Sequence, residues 1–162
     1  MSRIALLLGG SLMALAVGCA PTPVDIEVTF PREENFLFTE FGQLFIYDVD
    51  PETGLGDCPL LLEQIVRDVG MPILSTPRTN ICDFRAGGVN FGDVPPGPHA
   101  YVVVATNDAD AILLTGCTVA EAYEGAPPVE IRLFPTGEYA EATRRETLTC
   151  SSANDKCTVG CR

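Results

Sequence analysis

His99-Ala100-Tyr101-Val102-Val103-Val104-Ala105-Thr106 is the stretch that decides the fold class. Its β-branched and aromatic residues suit a pleated, packed surface. Apolar residues fall on both of its alternating faces, which places the strand inside a sheet covered on two sides. Immediately upstream, Val94-Pro95-Pro96-Gly97 reads as a type II turn, with Pro96 presetting φ and Gly97 supplying the positive φ at the next position. Downstream, Asn107-Asp108-Ala109-Asp110 reads as another turn, followed by strands over residues 111–118 and 129–133. Further upstream, Val24-Asp25-Ile26-Glu27-Val28-Thr29-Phe30 alternates apolar and polar residues, the period of a half-buried strand, and Pro31 to Asn35 ends it. Residues 43–49 and 80–84 complete the set of expected strands. One helix is expected, over residues 58–69, where Leu61, Leu62, Ile65, Val66 and Val69 recur at helical spacing before Gly70 and Pro72.

With 13 prolines, 15 glycines and no tryptophan, the chain favours turns and short elements over long helices. Its length of 162 residues suits one ordinary domain with an export segment and a tail. The boundaries follow as residues 1–18 for export, 19–23 as a tether, 24–137 as the domain and 138–162 as a polar, Cys-containing tail. Apart from Leu148 and Val159 the end of the tail offers little to bury, so cross-links are expected to order it.

Val89-Asn90-Phe91-Gly92-Asp93-Val94-Pro95-Pro96-Gly97-Pro98-His99-Ala100-Tyr101-Val102-Val103-Val104-Ala105 resembles the sequence pattern of prealbumin-like β-sandwich modules, among them the carboxypeptidase regulatory-like domains. In those, a phenylalanine, a Pro-Gly turn and an aromatic-bearing Val-rich strand follow in that order. The resemblance implies a mainly β, antiparallel sandwich, to which the apolar spacing adds one short helix and the cysteines a disulfide-stapled C-terminal tail. It implies no particular activity, since such sandwiches act as spacers, binders and adhesion modules.

The N-terminus reads as an export signal: Arg3, then an apolar run from Ile4 to Leu15, then Ala16-Val17-Gly18-Cys19. That run falls short of the roughly 20 residues a stable membrane-spanning helix needs. Ala16-Val17-Gly18-Cys19 is similar to the lipobox of bacterial lipoproteins. The resemblance implies diacylglycerol on the Cys19 thiol, cleavage before Cys19 and acylation of the new amine, so that Cys19 partners the membrane. Ala20 in place of an aspartate implies delivery to the cell outer membrane. Pro21-Thr22-Pro23 would form an extended spacer.

Seven cysteines are present, and lipid on Cys19 would leave Cys58, Cys82, Cys117, Cys150, Cys157 and Cys161. An even set in an exported chain reads as disulfides. Structural zinc is disfavoured by the absence of any Cys-x-x-Cys pair and by a single histidine, His99. Three of the six lie in the domain and three in the tail, so neither trio pairs internally without a remainder. Full oxidation therefore forces at least one bridge between domain and tail, although the partners stay open among 15 connectivities.

The formal net charge of −12 repels polyanions and argues against nucleic-acid binding. With one histidine and no Gly-x-Ser-x-Gly elbow, hydrolytic triads have nowhere to form, and no phosphate-binding loop follows a strand. His99, beside a turn, reads as structural. Asp48, Asp50 and Glu52, and likewise Asn107, Asp108 and Asp110, faintly resemble calcium loops. The first fails in detail, with Thr53 and Pro59 where an EF-hand needs Gly and Glu. No metal or cofactor is implied. The expectation is a non-enzymatic structural or interaction module with an envelope protein or glycan as partner. The alternative is a carbohydrate- or peptide-binding lipoprotein of an envelope machine, for which Tyr101, Tyr123 and Tyr139 are the candidate aromatic contacts.

Overall fold

A computed structural model describes residues 23–50, 52–53, 56–65, 71–87, 92–144 and 146–161. The export segment with Cys19, the last third of the expected helix (66–69) and Val89 to Phe91 lie outside these residues.

The chain is mainly β. A six-stranded antiparallel sheet is built on β1 to β8, of which six take part: β2 (Phe41–Asp48), β3 (Leu74–Ser75), β4 (Thr79–Asn80), β5 (Gly97–Thr106), β6 (Ile112–Ala122) and β8 (Phe134–Pro135). The order is β3-β2-β5-β6-β8, with β4 pairing the other end of β2. β5 lies inside the sheet, as its residues require. Tyr101, Val103 and Ala105 enter the larger core cluster on one face, while Ala100, Val102 and Val104 enter a second cluster on the other. Gly97 begins this strand at φ +134°, the positive value expected after Pro96.

The remaining two strands, β1 (Ile26–Thr29) and β7 (Val129–Arg132), form a separate parallel pair. This is a departure from an all-antiparallel arrangement, and the intervening chain is long enough to make the crossover a parallel pair needs. The pair sits on the larger-core face of the sheet. Thr118 Oγ1 of β6 donates to the Glu130 carbonyl at 2.7 Å. At Gly116 of β6 a Cβ would stand 2.5 Å from the Arg132 carbonyl oxygen, so only glycine admits this approach.

Five short helices are described where one was expected. α2 (Cys58–Ile65) is that one, and Asp57 before it accepts from Cys58 N through Oδ1 at 2.8 Å. α1 (Glu33–Phe38) directly follows the break at Pro31 and buries Asn35, Phe36, Leu37 and Phe38, a run without helical period. The expected strand over 80–84 is corrected: it ends as β4 at Asn80 and becomes α3 (Ile81–Arg85). The Asn80 side chain accepts from Cys82 N, the N-cap bond that starts a helix, and Phe84 then lies against Gly42. α4 (Tyr139–Thr143) and α5 (Ala153–Val159) occupy the tail.

All six expected cysteines are paired, as Cys58–Cys117, Cys82–Cys157 and Cys150–Cys161. The first pins α2 over the second core cluster. The second is the forced bridge between domain and tail, and the third closes the tail on itself. The tail nevertheless buries more than its composition suggests, which corrects the view that cross-links alone order it. Cys150, Ala153 and Lys156 are buried, and α5 is capped by Ser152, which accepts from Asp155 N. Its far end stops at Gly160, φ +69°, a left-handed cap.

Candidate binding groove

β1 is bonded along one edge only among the described residues. Val129 N donates to the Asp25 carbonyl at 2.8 Å and Leu133 N donates to the Thr29 carbonyl at 2.9 Å. In a parallel ladder alternate residues turn their peptide groups toward the same neighbour. Asp25, Glu27 and Thr29 therefore face β7, and Ile26 and Val28 direct their N–H and C=O the other way. Beside β1 lies a cavity of about 340 Å³, lined by residues 24–28 together with Leu44 of β2, Phe84 of α3 and Pro128. Asp25 and Glu27 are exposed on its wall, while Val24, Ile26 and Val28 are half-buried. The site is thus a strand edge above an apolar wall, flanked by two carboxylates.

The sequence marked residues 24–30 as a half-buried strand but gave no sign that its partner would be β7 or that one edge would stay open. No local pattern encodes a parallel partner about a hundred residues away.

The three tyrosines considered for ligand contact are not brought together. Tyr101 is fully buried under the sheet, Tyr139 packs edge-on against Phe38, and Tyr123 alone is exposed, at 49%. Among the described residues the Tyr101 hydroxyl is buried without a hydrogen-bond partner. Burial pushes the phenols of Tyr47, Tyr101 and Tyr139 above their ordinary range. A folded-state pKa raised in this way contributes stability below the unfolded value, near pH 10, that fades as pH climbs through the folded value. Tyr101→Phe is expected to keep or raise stability at pH 7, by up to about 1 kcal/mol, because it deletes a buried hydroxyl that gains nothing. It should also soften the alkaline loss. Urea unfolding at pH 7 and pH 10.5 checks both, and a loss above about 2 kcal/mol at pH 7 would show a bonded hydroxyl.

The acidic loops are engaged in turn building. Asp50 Oδ1 accepts from Glu52 N at 2.9 Å, and its other oxygen accepts from Thr53 Oγ1 at 2.6 Å. These bonds, led by the one from Thr53, hold the Asp50 carboxyl below the usual range. Asn107 Oδ1 accepts from Ala109 N and Ala111 N, and Asp110, at φ +61°, is ion-paired with Arg78. Arg78 also stacks over Phe41 and donates to the Asn107 carbonyl.

No known protein family, curated protein or solved structure matches the chain.

His99 is 3% exposed. Its Nε2 donates to the Pro95 carbonyl at 2.7 Å, which fixes the ring against the turn that feeds β5. Nδ1 lies 3.1 Å from Asp48 Oδ1, outside hydrogen-bonding geometry. A histidine held this way braces β2 against the turn.

A second, smaller cavity of about 220 Å³ is lined by Leu37, Phe38, Glu40, Asn107, Glu146 and Leu148 among others. Glu40 bonds Lys156 at 2.9 Å, and Asn107 Nδ2 donates to Glu146 at 3.4 Å. Both carboxylates thus tie the tail to the sheet.

Proposed function

We propose that the chain is a lipid-anchored protein of the cell envelope, delivered to the outer membrane, which acts as a non-enzymatic structural or interaction module. The observation that carries this reading is the pairing of six cysteines into three disulfides. Such pairing belongs to oxidising compartments outside the cytoplasm. It also leaves Cys19 as the odd cysteine, at the end of the apolar run, where the lipobox resemblance assigns it to lipid. Several acyl chains at about 0.8 kcal/mol per buried methylene make desorption negligible.

In this reading Cys19 holds the membrane, Pro21-Thr22-Pro23 sets a stand-off, and a sandwich of prealbumin type displays its edges to a partner. The sheet with the β1–β7 pair on one face is compatible with two β layers. The peptide-binding alternative is favoured over the glycan alternative by the edge of β1 that no other described strand pairs with, and by the dispersal of the three tyrosines.

Mass spectrometry of the N-terminal peptide tests the anchor. The expected species begins at Cys19 and carries thioether-linked diacylglycerol with an acylated amine, and Cys19→Ser protein should pass from the detergent phase to the aqueous phase. A peptide that starts elsewhere, or a Cys19→Ser protein that still partitions into detergent, removes the proposal.

A further inference from the structure

We infer that the open edge of β1 is a strand-addition site for an extended peptide in which Lys or Arg alternates with apolar residues. The inference deepens the interaction-module reading and rests on it for its biological setting.

Three observations converge on this occupant. Ile26 and Val28 direct peptide groups away from β7, where no other described strand pairs with them, because the backbone bonds of Asp25 and Thr29 run to β7. Main-chain pairing of that kind supplies affinity in β-augmentation, while alternate side chains supply specificity. The groove is also placed where another strand of the same layer would lie. β7 covers β6 through Thr118 and Gly116, β1 lies next to β7, and beyond β1 the groove wall is Leu44 of β2. An added strand would continue the layer across the sheet.

Charge then selects the partner. Asp25 and Glu27 alternate with Val24, Ile26 and Val28, so a strand laid beside them meets carboxylates on one face and apolar groups on the other. Opposite charges directly across a strand pair stabilise it and like charges oppose it. A second copy of this edge would set Asp25 and Glu27 against the same carboxylates. Self-pairing is thereby discouraged, as exposed edges require, and a cationic strand is favoured.

The test uses the folded, disulfide-bonded protein and a fluorescein-labelled six-residue peptide alternating lysine and valine, followed by anisotropy. Saturable binding is expected, with amide exchange at Ile26 and Val28 slowed by the peptide. A matched peptide with glutamate for lysine should bind at least about tenfold more weakly, and Asp25→Lys with Glu27→Lys should reverse that preference. Val28→Pro removes an N–H that faces away from β7, a position where an edge strand tolerates proline, and should abolish binding. N-methylation of alternate peptide amides tests the same bonds without altering the protein. Equal binding of the two peptides, insensitivity to N-methylation, or no saturable binding each overturns the site. Such a failure leaves the lipid anchor untouched, whereas an unlipidated Cys19 with intact peptide binding would remove the envelope setting and keep the groove.

Discussion

Replacing Cys82 and Cys157 together by alanine is expected to lower the free energy of unfolding by about 4 kcal/mol. The two residues are 75 positions apart, so their bridge removes a long loop's worth of disorder from the unfolded chain. The Cys150–Cys161 bridge spans only 11 positions and should contribute about 3 kcal/mol by the same reasoning. The longer bridge holds the tail in a second way. It is the one covalent link between α3 and α5, so chain cleavage between Phe134 and Glu146 leaves the tail attached in the native protein. Non-reducing digestion followed by denaturing mass spectrometry should show a tail that leaves only with reductant, and one that leaves at once in the double variant. Chemical denaturation of both variants supplies the energies. A change under about 1 kcal/mol for Cys82 with Cys157, or release of the native tail without reductant, would contradict the assignment.

The bridge between domain and tail was legible in the sequence, because parity among three and three cysteines forces it. Its partners were not, since connectivity depends on which helix faces which. The same division runs through the fold. β5 was legible because an apolar run can be satisfied on both faces only inside a covered sheet, and the strands at 24–30 and 129–133 were legible from their alternation. α1 was not, because Asn35-Phe36-Leu37-Phe38 buries every side chain of a short turn and so shows neither period. α3 was read as a strand because Ile81, Cys82 and Phe84 carry β character, while the deciding signal was the Asn80 cap. The groove was legible by half. The alternation of residues 24–28 fixed the strand and its acidic face, but an edge is defined by which neighbours are missing, and long-range pairing decides that.

Lys156→Ala should cost about 2–3 kcal/mol, a large effect for a lysine in a polar tail. The side chain is 4% exposed, and Nζ donates to the Leu37 carbonyl at 2.7 Å and to Glu40 Oε1 at 2.9 Å. Leu37 lies in the last turn of α1, where carbonyls lack helical partners and the helix dipole favours a cation. The ammonium therefore caps α1, neutralises Glu40 and carries α5 onto the domain in one group. Ala153 N, which donates to Glu33 Oε1 at 2.8 Å, fixes the other end of the same interface. Removing one partner of a buried pair costs about 3–5 kcal/mol when the other is stranded. Glu40 is 24% exposed and can recover part of its hydration, which places the expected loss below that range. Lys156→Met retains most of the buried stem and isolates the charge. Combined with Glu40→Gln it should recover much of the loss, because no unpaired carboxylate remains and only the Leu37 carbonyl goes without its donor. A double-mutant cycle in urea over these two positions measures the coupling. A loss for Lys156→Ala below about 0.5 kcal/mol, the scale of an exposed ion pair, would mean that the Lys156 contacts do not hold α5 on the domain.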